Sequence, residues 1–281
     1  MSAPTLPADS ADSADVAAVV SRPTTGTGLA RAFHLVERNA LVYRGQRLVF
    51  LSSFFEPLLY LFSVGIGVGA LVGSITTAGG QVVSYREFVA PGLMAVAAMN
   101  GSIFDVTFNF FIKLKYAKSY DAVLATPMGV HDVARGEVIW ALMRGTLQAG
   151  AFLGAMAALG LIASPWAVLA LPAALLIGMA FAGAGLAAAT WIRSFVDFDY
   201  VAMGLIPMFL FSGVFFPLSR YPDAVAWVVQ ITPLYQGVNL LRSLILGEVG
   251  PGLLLNAAYL ALMGILGMRI AGRRIGRILL R

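Results

Sequence analysis

The stretch KLKYAKSYDAVLATPMGVHDVARGE, residues 113–137, decides how the chain is read, because it is a charged island between two long apolar runs. A segment so placed faces water, with a membrane-crossing segment on either side of it. In its first half Tyr116, Tyr120, Val123 and Leu124 recur at i, i+4, i+7 and i+8, while Lys113, Lys115, Lys118 and Asp121 are polar. That spacing predicts an amphipathic helix over 113–125. Thr126-Pro127 ends it, since the residue before proline is pushed out of the helical region. Asp132 is placed to cap the next helix, which enters the membrane near Glu137. A short helix on a short tether between two spans is a handle for a force applied from the cytosol; the plainer reading is an ordinary solvated loop.

Composition supports a membrane setting. Of the 281 residues 59% are hydrophobic and only 12% charged, against about 25% charged in a soluble domain. The mean hydropathy is +0.84. There is no cysteine, which excludes a disulfide framework, thiol catalysis and a cysteine metal site. The net charge of +5 is not gathered on a soluble domain, so it does not suggest nucleic acid.

Outward from the central stretch, the apolar runs predict an all-α polytopic membrane protein with six transmembrane helices, at about 48–72, 87–112, 138–162, 166–191, 200–216 and 252–270. Residues 1–28 are rich in Ala, Ser, Thr, Pro and Asp and read as a disordered cytosolic tail. Asp9, Asp12 and Asp15 argue against a signal peptide. Residues 29–47 carry Leu29, Phe33, Val36, Ala40 and Tyr43 opposite Arg31, His34 and Arg38, as an interfacial helix would. Gly65, Gly69 and Gly73 give the first span a small-xxx-small repeat, and the Gly- and Ala-rich fourth span should be packed against other helices. Residues 74–86 read as a polar loop. The fifth span is short and holds Pro207. The following region, 217–247, is broken by Pro222 and Pro233 and carries Gln230, Gln236, Asn239 and Arg242, which suits extracellular re-entrant helices.

With six spans, fifteen of the 19 basic side chains fall on the side of both termini, three (Arg86, Arg220 and Arg242) fall opposite, and Arg144 lies within a span. Both termini and the central stretch are therefore expected in the cytoplasm. Glu56, Asp105 and Arg144 lie at similar depth, roughly 12 to 14 Å from the inner edge at 1.5 Å per residue. Unpaired charges are costly there, so Arg144 is expected to pair with Asp105 or Glu56. Glu137, Arg144 and Gln148 fall at i, i+7 and i+11 and form one polar stripe. Such a cluster either fixes helix packing or lines a substrate path.

No lysine follows a glycine, so there is no G-x-x-x-x-G-K-[ST] loop and no ATPase site. The string Gly65, Gly67, Ala70 lies in an apolar run without βαβ context and is not a dinucleotide site. His34 and His131 have no metal-ligand spacing, and no catalytic triad is arranged. Neither an enzyme nor a cofactor is expected in this chain.

Five stretches together resemble the membrane subunits of ABC-2 type exporters, in the branch of nodulation lipo-oligosaccharide and daunorubicin-type drug exporters. They are FFEPLLYLFSVGIGVGALVG (54–73), YREFVAPGLMA (85–95), YDAVLATPMGVHDVARGEVIW (120–140), PMFLFSGVFFPLSRYP (207–222) and TPLYQGVNLLRSLILG (232–247). The resemblance covers roughly 29–281. It implies a bacterial inner-membrane permease that dimerises, docks on two copies of a separate ATP-binding cassette ATPase subunit that holds the ATP, and moves an amphipathic drug, lipid, polyketide or lipid-linked saccharide. It implies that residues 113–125 are the coupling helix, with Tyr116, Tyr120, Asp121, Val123, Leu124 and Glu137 in ATPase coupling. It also implies that Gly136-Glu137 marks the foot of the third span. The competing reading is an ion-coupled secondary transporter with Glu56 and Asp105 as proton sites, for which an internal repeat would be usual.

Overall fold

The computed structural model describes residues 28–44, 55, 58–116 and 130–279. The coupling-helix residues beyond Tyr116, the first half of the first span with Glu56, and residues 1–27 lie outside them.

The first helix, α1 (Gly28–Arg44), buries Leu35, Val36 and Asn39. Helix α2 (Leu58–Val72) contains a π-helical turn, Ser63–Val68. Wider turns of that kind leave backbone groups open to side chains, and here the Gly65 carbonyl accepts from Arg86 Nε at 3.0 Å. Gly65 and Gly69 face Arg86 and Tyr85, and Gly73 ends the helix at φ 72°. The small-residue repeat therefore meets the start of the next long helix.

Residues 74–86, expected as a loop, instead form an antiparallel hairpin, β1 (Ser74–Thr76) with β2 (Val82–Ser84) in the register Ser74↔Ser84. Ile75 and Thr76 on one strand and Val82 and Val83 on the other, around Gly79-Gly80, carry that preference. At the hairpin's end Ser84 and Glu87 form a reciprocal capping box, with Ser84 N donating to Glu87 Oε2 at 2.7 Å. The box starts α3 (Tyr85–Lys115), which runs three residues past Ile112. Residues 113–115, expected in the coupling helix, are thus the last turn of α3.

Helix α4 (Val130–Ala158) begins two residues before Asp132, so Asp132 sits in the first turn and is not the cap. The helix includes the charged turns that were expected to lie outside the span, where Glu137 has Lys113 of α3 as its partner. It stops four residues short of 162, followed by Gly160 at φ 69°. A 3₁₀ turn (Pro165–Leu169), opened by Ser164 Oγ accepting from Trp166 N at 3.2 Å, leads into α5 (Ala170–Ala189). In the next turn the backbone N–H groups of Arg193 and Ser194 donate to Asp197 and hold its carboxyl below the usual carboxylate range.

Helix α6 (Phe198–Leu210) ends six residues before the expected 216. Pro207 cannot donate backward, Ser212 Oγ bonds the Phe209 carbonyl at 2.7 Å, and Gly213 turns the chain at φ 72°. Two shorter helices follow, α7 (Asp223–Ile231) and α8 (Pro233–Leu246). They meet at Thr232-Pro233, and Gly247 in the left-handed region ends the second. The last helix, α9 (Gly252–Leu279), runs nine residues beyond Ile270 into the arginine-rich tail.

Helix α5 is the centre of the bundle, against α9, α3 and α4; α8 lies on α3 and α9, and α1 on α4. A Cβ on Gly267 would stand 2.4 Å from the Gly183 carbonyl carbon, so the α5 and α9 backbones touch. Among the described residues, Tyr85–Lys113, Pro165–Ala189 and Gly252–Ile278 are long and apolar enough to cross a bilayer.

Candidate functional site

The polar side chains of α3 and α4 meet in two storeys. On the upper one, Arg144 of α4 donates to Asp105 of α3 at 2.5 Å, and Asn109 Nδ2, one turn along α3, donates to the same carboxylate oxygen at 2.7 Å. Two turns nearer the end of α3, Lys113 Nζ donates to both oxygens of Glu137 at 2.8 Å and to Asn39 Oδ1 of α1 at 3.1 Å. The seven- and eight-residue separations along the two helices, about two helical turns each, put both storeys on one seam. Glu137 is 4% and Asp105 10% exposed at the side chain. Carboxylates so enclosed need their cations, because a lone buried charge is far costlier than a pair.

Of the sequence-derived cluster, the structure joins Asp105 and Arg144, and places Gln148 one turn above Arg144 across from Gly101, whose added Cβ would lie 3.0 Å from Gln148 Oε1. Glu56 lies outside the described residues, as do Tyr120, Asp121, Val123 and Leu124. Tyr116 is 62% exposed. Glu137, expected in ATPase coupling, is buried on Lys113. Lys113 as its mate, and Asn39 and Asn109 as supports, were missed. The Lys113–Glu137 pairing was readable in principle, since the two residues bracket the hydrophilic stretch.

Above the seam is a recess of about 330 Å³ between α2, α3, α4 and α6, with Tyr60, Asn100, Phe104, Arg144, Gln148 and Phe209 on its walls. Beside Lys113 an aromatic cluster ties the end of α3 to the start of α6. Phe111 lies 5.3 Å from both Phe195 and Phe198, and Tyr116 lies 5.2 Å from Phe195 between ring centres. Such pairs contribute about 0.5–1.5 kcal/mol each beyond area burial.

At the opposite end of the bundle Arg242 of α8 is half-buried. It donates to the carbonyls of Phe88 at 3.1 Å and Gly213 at 2.8 Å, and its guanidinium lies 3.8 Å from the Phe88 ring centre. Pro91 lies inside α3 within one turn of Phe88 and cannot donate to the Glu87 carbonyl. Thr77 of the hairpin tip donates to Glu248 just past α8, so hairpin, α8 and the loop after α6 form one assembly.

Apolar helices around a charged seam, three of them long enough to cross a bilayer, define a helical membrane protein. The profile of the ABC-2 type transporter family matches residues 31–246, and the chain belongs to that family. It is 32% identical over 214 residues to nodulation protein J of Rhizobium meliloti strain 1021, covering 75% of this chain and 79% of that one. It is 34% identical to nodulation protein J of Rhizobium leguminosarum bv. trifolii, over 69% of this chain and 72% of the relative. Similarity extends to the inner membrane transport permease YadH of Escherichia coli K12, 25% identical over 66% and 67% of the two chains. The chain is a membrane-embedded transport permease.

Proposed function

We propose that the chain is the membrane-spanning half of a bacterial inner-membrane exporter, driven by a separate ATP-binding cassette subunit and working as a pair of permeases. It moves an amphipathic cargo outward through six spans, with both termini in the cytoplasm. In this reading α1 is the interfacial helix, residues 113–125 grip the ATPase through Tyr116, Tyr120, Asp121, Val123 and Leu124, and α7 and α8 are the re-entrant pair on the outer side. The division into residues 1–28 as tail and 29–281 as transmembrane domain belongs to the same proposal, as does the absence of catalysis by this chain.

The observation that carries it is the Lys113–Glu137–Asn39 junction. It pins together both stems of the hydrophilic stretch and the helix in front of them, so force applied to that stretch moves α1, α3 and α4 as a unit. A chain without a phosphate-binding loop must receive that force from outside. The test is reconstitution of the permease with its ATPase in vesicles. Tyr120→Asp or Leu124→Asp should leave the complex membrane-inserted while cutting ATP-dependent export about tenfold or more, the scale of losing a buried apolar anchor. Unchanged export in both variants overturns the reading.

A further inference from the structure

We infer that the long groove between α5, α6 and α9 is a site for a resident phospholipid with a net negative head. The groove takes an acyl chain, and the arginines at its mouth hold the phosphate. This lipid is a fixed companion of the fold and not its cargo, so the inference goes beyond the exporter reading and stands apart from it.

The groove has a volume of about 1130 Å³, with Ala184 and Ala188 of α5, Val201 and Gly204 of α6, and Leu262 and Leu266 of α9 among its walls. Leu262 and Leu266 are 58% and 47% exposed, an open apolar surface of the kind that meets hydrocarbon. From Tyr259 to Ile270 the α9 wall rises about 16 Å, which is one leaflet of a hydrocarbon layer of about 30 Å. Tyr259, whose hydroxyl donates to the Ile231 carbonyl at 2.8 Å, stands at the deep end. Trp191 and Tyr200 stand at the other end, both exposed, as aromatic side chains at a membrane interface are.

At that same end the wall turns basic. Arg193, in the turn between α5 and α6, lines the groove itself. Arg273, Arg274 and Arg277 lie three, four and seven residues past Ile270 and so continue the same face of α9. Arg274 is anchored there, with Nε donating to Thr190 Oγ1 at 2.9 Å and its guanidinium 3.8 Å from the Trp191 ring centre. Arg273 and Arg277 are exposed. The acidic groups on the elements that form this mouth are Asp197 and Asp199, and the Asp197 carboxylate is taken up by the backbone N–H groups of Arg193 and Ser194. Four arginines against two aspartates leave a positive surplus, which a singly negative phosphodiester neutralises and a zwitterionic head does not. A second copy of the chain suits the groove less well, because two copies inserted the same way would bring like arginine rows together at one level.

The test uses the full-length permease in phosphatidylcholine nanodiscs, without nucleotide or ATPase, sorted by size into discs with one copy and with two. Each sample receives a trace of phosphatidylglycerol or of phosphatidylcholine bearing the same photoreactive acyl chain, and labelled residues are mapped by mass spectrometry. In single-copy discs the phosphatidylglycerol probe should label the chain around Gly204 and Leu266 about tenfold more than the phosphatidylcholine probe, the scale of one or two arginine contacts at a membrane surface. Leu254 and Leu255, exposed at the far end of α9, should show no preference. Arg193→Gln combined with Arg273→Gln should abolish the preference and leave phosphatidylcholine labelling in place. Gly204→Leu, at a groove glycine with nothing within 4 Å of an added Cβ, should reduce labelling around Leu266 by both probes. Equal labelling by the two probes in the parent chain, or the same preference at Leu254 and Leu255, overturns the inference with no variant needed. A preference that survives the double arginine substitution takes the phosphate away from this mouth and overturns it as well. Labelling that is present in single-copy discs and lost in two-copy discs gives the groove to a second copy of the chain. Because no transport is measured, ATP-driven export without a labelling preference would remove the lipid site and leave the exporter reading standing, and a preference without export would do the reverse.

Discussion

At the scale of single residues, the Lys113–Glu137 pair makes the sharpest demand on the chain. Both Glu137 oxygens are bound to one ammonium, in a place where only 4% of the carboxylate side chain meets solvent. Lys113→Met should therefore destabilise the protein by about 3 kcal/mol, the usual effect of stranding a buried charge. Lys113→Met combined with Glu137→Leu should recover most of that loss, as read by thermal melting of both variants in detergent. Two equally unstable proteins would show that the loss does not come from stranding the Glu137 charge. Sequence reasoning found the Arg144–Asp105 partnership because depth can be counted along a helix at a fixed rise. It missed Lys113 because proline and charge patterns in 113–137 suggested a helix start there, whereas α3 continues to Lys115. Tertiary partners for Lys113 and Glu137 override that local pattern. The hydrogen bonding of Arg242 was equally hidden, since only three-dimensional proximity brings the Phe88 and Gly213 carbonyls to it.

Among elements, the α5–α9 crossing has the least tolerance. Gly183 and Gly267 let two backbones touch, and a side chain at Gly267 would overlap the α5 main chain. Gly267→Leu should abolish accumulation of folded protein. Gly154→Ala, at a helical glycine with nothing within 4 Å of an added Cβ, should be neutral or stabilising by up to about 1 kcal/mol from helix propensity. Size-exclusion profiles and melting curves of the two variants separate these outcomes. The crowding of α5 was legible in its Gly and Ala content, but its partner was not, because composition names no neighbour. The hairpin went unrecognised for a related reason: three-residue strands carry too little periodicity to stand out from a polar loop. The short α6 was foreshadowed by Pro207, although the stop at Leu210 needed Gly213 and Ser212 as well.

For the molecule as a whole, the uneven distribution of basic residues gives orientation a simple test. The chain has no cysteine, so single substitutions report position without background. Ala78→Cys at the hairpin tip should react with a membrane-impermeant maleimide in intact cells, and Arg277→Cys near the end of α9 only after permeabilisation. The opposite pattern would place residues 113–137 outside the cell and remove any role in receiving force from a cytosolic ATPase. The membrane class and the approximate places of the helices were open to sequence reasoning because hydropathy and length act locally. The recess was not, since it is assembled from four helices whose mutual rotation no single-chain pattern encodes.

Helix α6 has one more consequence. Its thirteen residues extend about 20 Å, well short of a hydrocarbon layer of about 30 Å. The remaining depth falls to the loop at Gly213 and to α8, whose half-buried Arg242 donates to that loop's carbonyls. Beside α6, then, the apolar helix gives out well before the full thickness of a hydrocarbon layer, and what faces the remaining depth is loop backbone whose carbonyls are taken up by that arginine.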